Sequence, residues 1–289
     1  MISVKHLTKC YGEFTAVDDL SFEIDEGHVY GFLGPNGAGK STTMNIITGC
    51  LSATSGQVTI DGHDIFEEPK EAKRAIGYLP EIPPLYQDMT VYEYLEFVSK
   101  IKKIKKEERK ACIEQSLEMT RTTEVRERLI RNLSKGYKQR VGIAQAIMGM
   151  PDLIILDEPT VGLDPKQIIE IRDLIRNLGK EHTVILSSHI LTEISEVCEN
   201  IFIISQGKLV ASGREEELIE ELAGENRIEA IIKGDANEIE NILDKFGCKH
   251  SIETLDDEKC KAQIVTSRDI DIREGLFFAL AEKKMPLLE

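Results

Sequence analysis

No stretch of this 289-residue chain holds the roughly 20 consecutive apolar residues that a membrane-crossing helix needs, so any membrane role has to come through a partner. The first residues, MISVKHLTKCYGEF, also lack the apolar run of a secretory signal, which sets the expectation of a cytoplasmic protein. Positive charge is the minority sign: 36 Lys and Arg stand against 51 Asp and Glu, a formal net charge of −15. That balance argues against gripping nucleic acid through broad electrostatics, and no nucleic-acid partner is expected. Cysteines number six, scattered without paired metal-ligand spacing or a short-chain disulfide framework, as for reduced, packed thiols.

What is present is an ordinary globular balance, 41% apolar and 30% charged, which excludes disorder. The length suits one large domain plus a small one. The first 30 residues alternate, with turns at Tyr11-Gly12 and Glu26-Gly27, and predict short half-buried antiparallel strands. HVYGFLG reads as a buried strand, a glycine-rich loop follows, and KSTTMNIITGCL reads as a helix ending near Gly49. GQVTIDGHDI predicts a hairpin turning at Asp61-Gly62. From about residue 71 to 150 the composition suggests a helical insert, interrupted where the prolines of LPEIPPLYQDMT forbid a continuous helix. DLIILDEP and TVILSSH are continuous apolar runs of the buried parallel kind, with a helix between them from about Pro165 to Gly179. This alternation predicts an α/β fold whose sheet is covered by helices.

Gly34 to Ser41, GPNGAGKS, matches the G-x-x-x-x-G-K-S phosphate loop in its required setting between a strand and a helix. Glycines at 34, 37 and 39 let the N–H groups of Gly34, Asn36, Gly37, Ala38 and Gly39, in a loop shaped also by Pro35, turn toward a β-phosphate. Lys40 would reach the β- and γ-phosphates, the Ser41 hydroxyl would take a place on Mg²⁺, and Thr42 continues the helix start. Asp157 and Glu158 end a buried strand, where Asp157 can hold the metal and Glu158 can face a hydrolytic water. His189 ends the next such strand, as a polar contact to the γ-phosphate or as a structural histidine. A second anion site without its own phosphate stands at NLSKGYKQRVGIAQAIM, where Ser134 and Gly136 open a helix.

The order of phosphate loop, LSKGYKQR, LIILDEP, VGLDP and strand-ending histidine resembles the ATP-binding cassette ATPases, over Met1 to about Gly213. The resemblance implies a P-loop NTPase core with a mixed sheet, an N-terminal antiparallel β subdomain and the helical insert. It also implies ATP and Mg²⁺ as ligands, with Ser41, Asp157 and Glu81 toward the metal and Tyr11 stacked on adenine. Ser134, Lys135 and Gly136 would then meet ATP held by a second nucleotide-binding subunit in a head-to-tail dimer, with Asp164 coupling the sites at the seam while capping the helix at Pro165. Glu81 stands where many relatives carry glutamine, and Lys135 and Tyr137 replace the usual glycine and glutamine. The Lys135 ammonium either strengthens γ-phosphate binding or faces solvent. By the same resemblance the chain is the ATPase of a transporter, an exporter by its YLPE wording, peripheral on the inner face of the cell membrane and docked on separate permease subunits. The alternatives are a cassette ATPase acting on ribosomes or DNA, and a regulatory nucleotide-binding module; the lack of a second cassette and of sustained heptads in this sequence argues against the former.

KIKKIKKEERK reads as a solvated helix face, with attraction to anionic lipid headgroups as the lesser option. Residues 214–225 read as a linker, and 226–289 as a small β-α-β-β-α domain without a catalytic motif. The last residues, MPLLE, stop on an apolar run without a cap, which sets the expectation that the sequence breaks off inside a strand.

Overall fold

The computed structural model describes residues 2–222, 226–256, 259–266 and 271–288. The chain divides into two compact units, Met1–Glu215 and Glu216–Glu289. In the first, β1 (Ile2–Tyr11) and β2 (Phe14–Ile24) lead to β3 (Val29–Leu33), α1 (Lys40–Ile47), β4 (Ser55–Ile60), β5 (His63–Asp64) and α2 (Pro69–Arg74). There follow β6 (Ile76–Leu79), α3 (Val91–Ile101), α4 (Lys106–Met119), α5 (Lys135–Ile147), β7 (Leu153–Leu156), α6 (Pro165–Leu178), β8 (Thr183–Ser188), α7 (Leu191–Ser195), β9 (Asn200–Ser205) and β10 (Lys208–Gly213). Among the described residues, one sheet is antiparallel, in the order β2-β1-β4-β5, and the other runs β10-β9-β3-β8-β7-β6. The second sheet is parallel at every junction except β9 with β10, so it is mixed.

The strand sequences explain the difference. β7 and β8 are buried at every residue, as parallel strands covered on both faces must be, and their sequences LIIL and TVILSS carry no polar alternation. Between the two sheets Phe22 meets Phe32 and Phe202 at ring-centroid distances of 5.2 and 5.0 Å, in a core that also takes in Leu7, Met44 and Ile155. Each such side chain contributes about 1.5–3 kcal/mol on full burial.

The helical stretch is less uniform than its composition suggests. Ile76–Leu79, inside the expected 71–150 insert, is β6, a strand of the central sheet paired in parallel with β7. Four residues are too few to show a period, and the flanking lysines mask them. The helical layer proper is α3, α4 and α5, packed through Leu95, Ile113, Leu117 and Val141. KIKKIKKEERK is not one helix face either. Its residues 102–105 form the break between α3 and α4, with Lys103 at a left-handed φ of 58°.

The expected linker holds α8 (Glu215–Leu222), and residues 223–225 lie outside the described residues. The second unit comprises β11 (Asn226–Lys233), α9 (Ala236–Asp244), β12 (Lys249–Asp256), β13 (Lys259–Thr266) and α10 (Arg273–Glu282). Its antiparallel sheet, β11-β13-β12, buries Ile232, Ala262 and Ile264 under Ile239, Leu243 and Leu276. Lys233 N–H donates to the Pro286 carbonyl at 2.9 Å and Leu288 N–H to that of Ile231 at 2.7 Å, so residues 286–288 extend this sheet at β11.

Candidate functional site

Parallel strands collect the chemistry at their carboxyl edge. β3 delivers the glycine-rich loop, β7 delivers Asp157 and Glu158, β8 delivers His189, and β6 delivers Glu81. The loop is held from below. Gly39 has φ +105°, open to glycine far more readily than to other residues, and a Cβ there would stand 2.5 Å from the Ala16 carbonyl. Gly34 is fixed by packing instead, since a Cβ would strike the carbonyl of Ile204 on β9. Gly207 N–H, in the β9–β10 turn, donates to Ala38 at 2.9 Å and ties the loop down.

Lys40 is buried, with its ammonium donating to the Gly34 carbonyl at 2.7 Å and the Pro35 carbonyl at 3.3 Å and lying 3.4 Å from Glu158 Oε1. Ser41 Oγ donates to Asp157 Oδ1 at 3.1 Å, which brings together two of the three expected metal ligands, one from the start of α1 and one from the end of β7. Burial raises the Asp157 carboxyl above the usual aspartate range, partly offset by hydrogen bonds from Ser187 and Ser41. Glu158 sits at a positive φ of 46°, rare for a residue with a side chain and costly enough to need surrounding support. That support is visible: Glu158 N–H donates to Ser187 Oγ at 2.9 Å, Ser187 Oγ donates to Asp157 at 2.6 Å, and His189 Nδ1 lies 3.0 Å from Glu158 Oε2.

These groups open on a cleft of 440 Å³ lined by Tyr11, Asn36, Gly37, Gly39, Lys40, Ser41, Thr42, Glu81, Glu158 and His189 among others. Its size is that of a small-molecule site. Gly34, Pro35, Ala38 and Asp157 do not line it; they hold its floor. Tyr11 is half exposed at the rim, with the Lys9 ammonium 5.2 Å from its ring centroid. The converging hydroxyl, carboxylates, ammonium and loop N–H groups fit a polyphosphate with a divalent cation.

A second cavity of 440 Å³, sharing no residue with the first, opens beside Ser134, Gly136 and Tyr137. Ser134 caps α5, its Oγ accepting from Tyr137 N–H at 3.4 Å. Gly136 is buried against Gln167, whose own N–H donates to the capping carboxylate of Asp164 at 2.9 Å. The Lys135 ammonium does not line this cavity; it packs over Gly162, where it would meet an added Cβ. Tyr137 donates its hydroxyl to Glu124, and the Arg140 guanidinium lies 5.9 Å from the Tyr137 ring centroid.

Sequence reasoning missed Ser187 and Glu193. Glu193, buried on α7, accepts from Thr160 Oγ1 at 2.6 Å and from Ser188 Oγ at 2.9 Å. It thereby joins the loop after Glu158 to the residue before His189. The serine pair of TVILSSH was the available signal for Ser187; nothing local marked Glu193.

An ABC transporter family model matches residues 17–161. The bacitracin transport ATP-binding protein BcrA of Bacillus licheniformis is 43% identical over 73% of this chain and 68% of its own length. The linearmycin resistance ATP-binding protein LnrL of Bacillus subtilis is 37% identical over 81% and 76%. Among solved structures, a dimeric post-hydrolysis state of the ATP-binding cassette MJ0796 bound to ADP and Pi superposes with a TM-score of 0.67 at 28% identity, over 74% of this chain and 98% of that one.

Proposed function

The chain belongs to the ABC transporter family as one of its ATP-binding subunits, and on that premise we propose how its residues divide the work of an ATP-driven exporter. ATP hydrolysis comes with the family; its coupling to transport, and each residue's part in it, is our reading. One observation carries it: the phosphate loop, two strand-end carboxylates and a strand-end histidine line or floor one cleft, while the Ser134 helix start opens on another that no group of this cleft reaches.

In this reading the triphosphate lies along residues 34–42, with Lys40 leaving Glu158 for the β- and γ-phosphates. Ser41, Asp157 and Glu81 would hold Mg²⁺, which when bound supplies Lewis-acid polarisation of the phosphoryl oxygens. Glu158 orients and takes a proton from the attacking water, and His189, hydrogen-bonded to Glu158, fixes that carboxylate and touches the γ-phosphate. Tyr11 offers its ring to adenine. The half-site at Ser134, Lys135 and Gly136 meets the nucleotide of a second subunit, Lys135 through the Gly162 turn it rests on, and Asp164 lies at the seam. ATP then acts as anionic glue between two subunits, and its hydrolysis lets them part.

A relative named for resistance to linearmycin supports outward transport. Among the described residues no helix is long and apolar enough to cross a membrane, which supports a peripheral subunit docked on separate permeases. Native pull-down followed by identification of the bound protein tests this. Co-purification with a multispanning membrane protein that stimulates ATP turnover is expected; recovery with ribosomes or DNA instead would overturn it.

A further inference from the structure

The first unit carries a third concavity, of 700 Å³, at the other edge of the central sheet. It is built where β6 and β7 begin, from Ile76 and Pro151, whereas the nucleotide cleft lies where the strands end. Five of its lining residues are cationic, Lys70, Lys73, Arg74, Lys102 and Lys103, and none is acidic. In a chain with 51 acidic residues against 36 basic ones, an acid-free group of five cations is not background.

Helix capping accounts for two of them. Lys73 donates to the Gly49 carbonyl at 2.9 Å, just past α1. Lys102 turns its ammonium onto the carbonyls of Ala146 and Met148 at 3.1 and 2.8 Å, at the end of α5. Both positions suit a cation against a helix C-terminus. No such role exists for Lys70, Arg74 and Lys103, whose side chains have neither ion pair nor hydrogen bond among the described residues. The walls between the cations are apolar: Ile76, Ile101, Ile104 and Met148. A bowl of this volume has the size of a small-molecule site rather than of a long peptide groove.

From this convergence of unpaired cations on an apolar bowl we infer that the cavity binds a phosphate-bearing anion, either a phospholipid headgroup or a free phosphate compound. Arg74 supplies a planar fork for phosphoryl oxygens and the lysines supply point charges. Because the bowl lies at the opposite sheet edge, the ligand would not compete with ATP for the phosphate loop. The lysine-rich segment after α3 is then one wall of a site rather than a purely solvated surface.

The test uses the full chain with Lys40→Ala, which removes phosphate binding at the nucleotide cleft. Inorganic pyrophosphate is titrated calorimetrically, and flotation is measured with phosphatidylcholine vesicles with and without phosphatidylglycerol. Two triple variants are compared: Lys70→Gln/Arg74→Gln/Lys103→Gln, and a charge-matched control at the exposed Lys5, Lys110 and Lys245. We expect the cavity variant to lose at least about tenfold in affinity while the control does not. Pyrophosphate binding without flotation identifies a free phosphate compound, and flotation dependent on phosphatidylglycerol identifies a lipid. No binding in either assay, or equal loss in both triple variants, would overturn the site. ATP turnover of the cavity variant with Lys40 restored reports its folding; if it is lost, Arg74→Gln alone replaces it.

Discussion

The ammonium of Lys40 and the carboxylate of Glu158 stand 3.4 Å apart, both nearly cut off from solvent. A phosphate entering the cradle therefore competes with Glu158 for the same cation. Winning that competition frees the carboxylate to face water. Replacing Glu158 with Gln removes both the proposed general base and the competitor. Turnover should fall by about 10²–10⁴-fold while ATP affinity stays the same or rises, and the nucleotide-bound dimer should accumulate. Turnover at the wild-type level, measured by phosphate release, would take Glu158 out of this role.

Shared sites make a different prediction, one that needs two chains. Ser134→Arg fills the helix start with a bulky cation but leaves the 34–42 cradle intact, so a single chain should still bind ATP and fail to hydrolyse it. Mixed with Lys40→Ala chains, each mixed pair regains one complete site. With random pairing and sites that act alone, activity should recover to about a quarter of wild type. If mixed pairs form and stay inactive, the Ser134 cavity does not serve a partner's nucleotide.

The pH dependence of stability is testable at α3. Thr90 and Glu93 form a reciprocal cap: Glu93 N–H donates to Thr90 Oγ1 at 3.2 Å and Thr90 N–H donates to the Glu93 carboxylate at 2.8 Å. Accepting that N–H holds the Glu93 carboxyl below the ordinary glutamate value of 4.5. A lowered folded-state value stabilises above the unfolded value and loses that contribution as pH falls through the folded one. The thermal midpoint of wild type should therefore exceed that of Glu93→Gln at pH 7, with the gap closing below the ordinary value. A gap constant down to pH 3 would mean that the charge on Glu93 contributes nothing.

These predictions also mark what the residues alone could say. GPNGAGKS, with a buried strand before it and a helix after it, fixes backbone geometry locally, so the cradle was legible. Asp164-Pro165 was legible for the same reason, a cap beside a residue preset for a first turn. β6 was not, because four residues cannot display a period and its burial comes from β7, whose Leu153 pairs with Ile76, and from α5, whose Gly142 and Ala146 pack on it. Ser187 was visible only as part of an apolar run. Its contacts to Asp157 and the Glu158 amide span 30 and 29 residues, and no spacing rule reaches that far. The cations of the third cavity illustrate the same limit, since those of α2 and those just after α3 are far apart in sequence and only the fold brings them to one cavity.

Glu193 tests whether a residue outside the lining of the nucleotide cleft sets the geometry of the proposed reacting groups within it. One of its carboxylate oxygens, Oε2, accepts both the Thr160 and the Ser188 hydroxyls, so it clamps the two segments that present Glu158 and His189. Glu193→Ala would leave two buried hydroxyls without an acceptor, at about 1–3 kcal/mol, and let the loops drift. Small displacements near reacting groups cost turnover steeply, so kcat should fall at least about tenfold. ATP binding, proposed to rest on the 34–42 loop, should change little, and Glu193→Gln, keeping one acceptor oxygen, should lie between. A purely structural role predicts the reverse pattern, a lower thermal midpoint with kcat unchanged in the folded fraction. Measuring both quantities on Glu193→Ala and Glu193→Gln therefore separates a clamp on the reacting groups from a packing contact.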